Sequence, residues 1–143
     1  MSRALLALLL MLIAFPVQAN PIAPAKIVVI DGDTIRVGVG SYRLIGFDTP
    51  ETSRALCAGE RAKGYAATAA LRRLIYSGQT LNLIEVPCSC APGTLNTPSC
   101  NRGRLCGVLT ANGVDVATTM IKAGHARPYH CSASRCPRRQ GWC

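Results

Sequence analysis

Apolar residues along the chain follow two rhythms. Lys26 to Ile30 is a short β-branched run, Thr34 to Val39 alternates apolar with polar positions, and Tyr42 to Phe47 turns apolar after Arg43. Period-two runs of this length predict three strands. Asp31-Gly-Asp33 turns the first into the second and Gly38-Val-Gly40-Ser41 the second into the third, which makes a meander. From Glu60 to Ser77 the rhythm becomes helical, with Leu71, Leu74 and Ile75 on one face and Gly78 just past the end. Gly64 disfavours the first turns, so the helix is expected to start after it. Thr80 to Val86 alternates again as a fourth strand, and Pro87 ends it. Cys88 to Asn101 has no period and reads as a loop. Gly103 to Thr110 is a fifth strand closed by Asn112-Gly113, and Asp115 caps a second helix from Val116 to Ala123 that stops at Gly124. Arg127 to Cys143 is a tail without pattern.

Three strands, a helix, two strands and a helix describe an α+β fold dominated by β. A five-stranded Greek-key barrel such as the OB-fold fits this order, as do several other small α+β folds.

The first 19 residues carry Arg3, an apolar run from Ala4 to Phe15, and the small-residue ending Val17-Gln-Ala19. This is the pattern of a signal peptide, so 20–143 is expected to form a single exported domain, periplasmic or secreted. The run is too short to serve as a comfortable bilayer anchor. Sixteen Lys and Arg stand against 7 Asp and Glu, for a net charge of +9, and Arg3 is the only charge lost with the leader. Such a balance favours a polyanionic partner, of which nucleic acid is the commonest; anionic membranes and cell-wall polymers fit as well. All 8 cysteines lie beyond the leader, and an even count in an exported chain predicts disulfides. Cys131 with Cys136, and Cys88 or Cys90 with Cys100 or Cys106, are expected pairs. Zinc on Cys88, Cys90, Cys100 and Cys106 is the weaker reading, because paired C-x-x-C knuckles are absent.

Four of the 7 carboxylates, Asp31, Asp33, Asp48 and Glu51, crowd into one stretch that also holds Arg43. Like charges repel at this density unless a cation lies among them, and hard divalent ions take their oxygen ligands from such groups. Strict alternation, however, puts Arg43 on the face of Ile45 and Phe47, and Asp48 on that of Leu44. One shared site therefore requires a bend, for which Gly46 is the natural place.

Four blocks, taken together in order and spacing, resemble the thermonuclease, or staphylococcal nuclease, family. They are Val29-Ile-Asp-Gly-Asp-Thr34, Tyr42-Arg-Leu-Ile-Gly-Phe-Asp-Thr-Pro-Glu51, Asn101-Arg-Gly-Arg-Leu105, and Asn112-Gly-Val-Asp-Val116 with Ala123-Gly-His-Ala126. The resemblance runs from about Lys26 to Tyr129, leaving a cysteine-bearing tail over 130–143. It implies an OB-fold and calcium-dependent phosphodiester hydrolysis in DNA and RNA by a monomer. Asp33, Asp48 and the Thr49 backbone carbonyl would bind Ca2+, with Asp31 close behind them. Arg43 and Arg104 would grip the phosphate, and Glu51 would act as general base. The family's Tyr before Gly-Arg is Arg102 here. Arg102 and Tyr129 are the expected further nucleic-acid contacts, by phosphate pairing or stacking. His125 and His130 read as structural, and Trp142 as filling a core gap. A catalytically silent OB-fold that binds nucleic acid is the rival function. A cysteine-rich ligand without activity would leave the acid cluster and its arginines as coincidence.

Overall fold

The computed structural model describes residues 21–143; the expected signal peptide lies outside the described residues. Nine strands and two helices follow in order: β1 (Pro21–Ile22), β2 (Ile27–Asp31), β3 (Thr34–Val37), β4 (Gly40–Leu44), β5 (Gly46–Asp48), α1 (Ala58–Ile75), β6 (Leu81–Val86), β7 (Leu105–Ala111), β8 (Val114–Asp115), α2 (Val116–Lys122) and β9 (Arg127–Tyr129). Seven strands form one curled, half-barrel sheet in the order β1-β6-β7-β4-β3-β2, with β8 paired to β7; β5 and β9 form a separate two-stranded pair. The fold is thus α+β and dominated by strands.

The expected meander is present as β2, β3 and β4, in which Thr34 pairs with Arg43 and Val29 with Ile35. β3 stops at Val37, short of the expected Val39, because Gly38 takes a left-handed turn at φ 58°. The run from Tyr42 to Phe47 is not one strand. β4 ends at Leu44, and Gly46 lies at φ 92°, a region that side chains with a Cβ rarely enter. The chain changes direction there, leaves the main sheet, and pairs Gly46 with Tyr129 and Asp48 with Arg127. The expected bend is therefore found at Gly46. It also gives structure to the start of the tail, which the sequence left without pattern.

Core side chains come from both rhythms: Ile27, Val29, Ile35, Leu44, Phe47, Leu81 and Leu109 from strands, and Ala67, Leu71, Ile75, Val116 and Met120 from helices. α1 begins at Ala58, six residues before Gly64, which corrects the expected start. Two things support the early turns. Cys57 accepts a hydrogen bond from the Glu60 backbone N–H, and the buried Glu60 carboxylate accepts from the N–H groups of Leu56, at 2.7 Å, and Glu51, at 3.3 Å. Glycine at 64 is needed for closeness: a Cβ there would lie 2.5 Å from the Glu51 carbonyl oxygen and 2.8 Å from that of Pro50.

Four disulfides join all eight cysteines: Cys57–Cys143, Cys88–Cys106, Cys90–Cys100 and Cys131–Cys136. The pairs across the Cys88 to Cys106 region leave no thiolates for zinc. Among the described residues no helix is long and apolar enough to cross a membrane.

Gly64→Ala should lower stability even though Ala is the better helix former by about 1 kcal/mol. Overpacking against fixed carbonyls costs about 1–3 kcal/mol, so a urea titration should show a net loss of up to about 2 kcal/mol. A more stable variant would show that α1 does not need its close approach to residues 50 and 51.

Candidate active site

Asp33 is 3% exposed, and both oxygens of its carboxylate have partners. Oδ2 accepts from the Thr49 backbone N–H at 3.0 Å and the Thr49 hydroxyl at 2.9 Å; Oδ1 accepts from the Thr34 hydroxyl at 3.2 Å and pairs with Arg43. This satisfies a charge that would otherwise be costly to bury. The tight Asp31 to Thr34 turn sets it up, with the Asp33 N–H held by Asp31 Oδ1 at 3.1 Å. Gly32 leaves room, since a Cβ there would meet Thr49 Oγ1 at 2.7 Å.

Asp48, 4% exposed, arrives from β5 beyond the bend. Its Oδ1 lies 3.1 Å from Arg43 Nη2, which also donates to the Phe47 carbonyl at 3.1 Å. Arg43 thereby bridges Asp33 and Asp48, the two carboxylates the resemblance assigns to a metal. Arg104 approaches from the start of β7. Its Nη1 donates to Thr34 Oγ1 at 3.0 Å, and Asn101 holds the rest of the fork through its carbonyl at 3.0 Å and its side-chain oxygen at 2.9 Å. Thr34 relays Arg104 to Asp33. Burial first, and then the charge of Arg43, lower the Arg104 pKa, while Asp33 and Asp31 oppose that shift. Asp31 lies behind the cluster with its pKa raised, by burial above all and then by the Asp33 charge.

The tail supplies what the sequence did not reveal. Arg139 Nε lies 2.7 Å from Asp48 Oδ1, its Nη2 donates to the Thr49 carbonyl at 2.9 Å, and its Nη1 pairs with Glu51. Burial works against its charge, but the hydrogen bond to Glu51 and the Asp48 carboxylate outweigh that and raise its pKa. Trp142 is buried, but its place is the site rather than a gap in the apolar core. Its Nε1–H donates to Asp48 Oδ2 at 3.3 Å, and the Arg127 guanidinium lies 3.8 Å from the ring centre. No local signal places Arg139 or Trp142 at the acid cluster, because the Cys57–Cys143 bridge, across 86 residues, is what carries the tail here. Glu60, whose carboxylate holds the Glu51 backbone N–H, is likewise legible along the chain only as the start of a helix.

Asp31, Asp33, Arg43, Asp48, Thr49, Glu51 and Arg104 thus converge. Arg102 does not join them: it is exposed, at φ 59°, and reaches the cluster only through its charge on Arg104. Tyr129 stands beside the site, lining a cavity of about 250 Å³ with Arg43, Ile45, Phe47 and His130, while its hydroxyl donates to the Pro137 carbonyl at 2.7 Å. Among the described residues no three His, Cys, Asp or Glu side chains form a metal cage. The donors at hand are two carboxylates and a carbonyl, all hard oxygens, and each already faces a cationic partner or a hydrogen-bond donor. Hard oxygens are the ligand class that calcium takes, with water and carbonyls completing its shell.

No protein-family model matches the chain, and no curated protein matches it in sequence.

Removing Arg43 would leave two buried carboxylates short of a partner, a loss of about 3–5 kcal/mol. Arg43→Ala should show that drop in chemical unfolding. A change below about 1 kcal/mol would mean that the pairing does not hold the turn to β5.

Proposed function

We propose that the chain is a calcium-dependent endonuclease that hydrolyses phosphodiester bonds in DNA and RNA, an OB-fold protein of the thermonuclease type acting as an exported monomer. The observation that carries this reading is the gathering of Asp33, Arg43, Asp48, Thr49 and Glu51, from one stretch of the chain, with Arg104, from a distant one, around one small volume. The curled sheet supports the fold: a meander, a parallel return of β7 beside β4, and β6 antiparallel to β7 have the connectivity of a Greek-key barrel.

Asp33, Asp48 and the Thr49 carbonyl are the residues that would hold calcium, which when bound supplies positive charge opposite the phosphate and a template for water. Arg43 and Arg104 would meet the phosphate oxygens. A guanidinium presents two parallel donors where an ammonium presents a point charge, and donors fixed in place beforehand act most strongly on charge that develops in the transition state. Thr34 and Asn101 fix Arg104 in this way. Glu51 would take the proton of the attacking water as the new phosphorus–oxygen bond forms. The bond to the departing sugar oxygen then breaks, and that oxygen takes up a proton. Tyr129 and its cavity lie beside Arg43, suited to the nucleoside next to the phosphate; Arg102 would add a contact farther along the strand.

One observation favours the rival reading, a catalytically silent OB-fold that binds nucleic acid: Glu51 is paired with Arg139, and so is not free to act as a base.

The mature protein should degrade plasmid and single-stranded DNA in about millimolar calcium and stop when a chelator is added. Glu51→Gln and Arg104→Lys should each slow cleavage about a hundredfold to a thousandfold in initial-rate assays. Cleavage indifferent to the chelator, or to Glu51→Gln, would overturn the mechanism. Binding without any cleavage would establish the silent reading.

A further inference from the structure

Arg139 touches three groups that the nuclease reading needs free: the Asp48 carboxylate, the Thr49 carbonyl and the Glu51 carboxylate. The first two are expected metal ligands and the third is the expected base. One guanidinium therefore stands where a divalent cation and an activated water would have to be. We propose that Arg139 is a built-in competitor for the calcium site, which sets the site's metal affinity and keeps Glu51 engaged until a divalent cation displaces it. This inference rests on the metal reading of the site.

Three features of the structure point to Arg139, rather than Arg43, as the group that leaves. Arg43 is rooted in β4, its side chain is 15% exposed, and it holds Asp33, Asp48 and the Phe47 carbonyl at once. Arg139 sits on a segment without regular secondary structure, and its side chain is 36% exposed. Its anchors also lie on either side of it and not on the residue itself. On one side Cys131–Cys136 closes a small loop, and Tyr129 holds the Pro137 carbonyl. On the other, Arg127 holds the Gly141 carbonyl at 2.9 Å, Lys63 holds the Trp142 carbonyl at 2.9 Å, and Cys143 is bonded to Cys57. The arginine can withdraw while the strap stays fastened.

Charge makes the exchange favourable once calcium is available. Asp31, Asp33, Asp48 and Glu51 face Arg43, Arg104 and Arg139, so replacing one guanidinium with a divalent ion adds a positive charge where carboxylates are in excess. Proton loss offers no alternative route, because an arginine in these surroundings stays charged at any workable pH. The strap also keeps the local concentration of the competitor high, as a tethered ligand does.

The test is calcium binding measured by titration calorimetry in the absence of nucleic acid, on the full mature chain with its disulfides intact. Arg139→Gln should bind calcium about tenfold tighter or more than wild type, since charge-assisted hydrogen bonds no longer have to be broken. Arg138→Gln removes the same charge one residue away on an exposed position and should stay within about twofold of wild type. In cleavage assays the calcium concentration for half-maximal rate should fall in Arg139→Gln. Calcium-dependent rise in melting temperature gives a second readout that needs no cleavage, and it should begin at lower calcium in Arg139→Gln. Equal or weaker calcium binding by Arg139→Gln would overturn the competitor while leaving the nuclease reading in place. Equal tightening by Arg138→Gln would also overturn it, in favour of a general charge effect. No calcium binding by any of the three proteins would overturn both.

Discussion

The Asp33 carboxylate is the interaction on which the site depends. Buried at the turn between the first two strands of the meander, it holds Thr49 through two hydrogen bonds and Arg43 through an ion pair, and so ties that turn to the segment leading out of β5. A buried carboxylate is tolerated only where each oxygen has partners. Satisfying Asp33 therefore dictates where Thr34, Arg43 and Thr49 must stand. Those positions in turn bring Asp48 and Glu51 alongside. The same requirement makes glycine necessary at 32, where a Cβ would strike Thr49, and at 64, where it would strike the carbonyls of Pro50 and Glu51. Apolar packing builds the curled sheet, while this one polar junction determines which loops meet at its edge.

Around the junction lies a balance of charge that the protein maintains with its own arginines. Arg43 joins the two buried aspartates, Arg104 reaches them through Thr34, and Arg139 covers the outer face together with Trp142. Asp33, Asp48 and Glu51 pair directly with Arg43 and Arg139, while Arg104 is held by Thr34 and Asn101 and Asp31 by the Asp33 backbone. This network stabilises the arrangement in which the tail lies against the acid cluster. The Cys57–Cys143 bridge on one side and the Tyr129 bond to the Pro137 carbonyl on the other hold the tail over the site.

Much of this was legible along the chain. Alternation identified the meander and the fourth and fifth strands, helical spacing identified α1 and α2, and Asp115 and Gly124 marked the limits of the second helix. The crowding of four acids beside Arg43 marked the site, and the mismatch in side-chain direction between Arg43 and Asp48 called for the bend that Gly46 makes. These features were readable because each depends on neighbours within a few residues. The start of α1 is the converse case: propensity argues against Gly64, but the close approach of residues 50 and 51, invisible to local reasoning, makes glycine the residue that fits there.

By itself, then, the sequence determined the meander, the two later strands, both helices, the place of the acid cluster and the residue at which the strand must turn, because periodicity, capping and backbone freedom are local properties. Only the tertiary structure decided that Arg139 and Trp142 belong to the site, that Glu60 anchors the backbone of Glu51, and that Arg102 stands apart from the cluster. Those outcomes rest on contacts that the 86-residue span of Cys57–Cys143 and the pairing of β5 with β9 bring about. A tail without hydrophobic rhythm carries no local record of what it will touch; its position follows from where its cysteines are fastened.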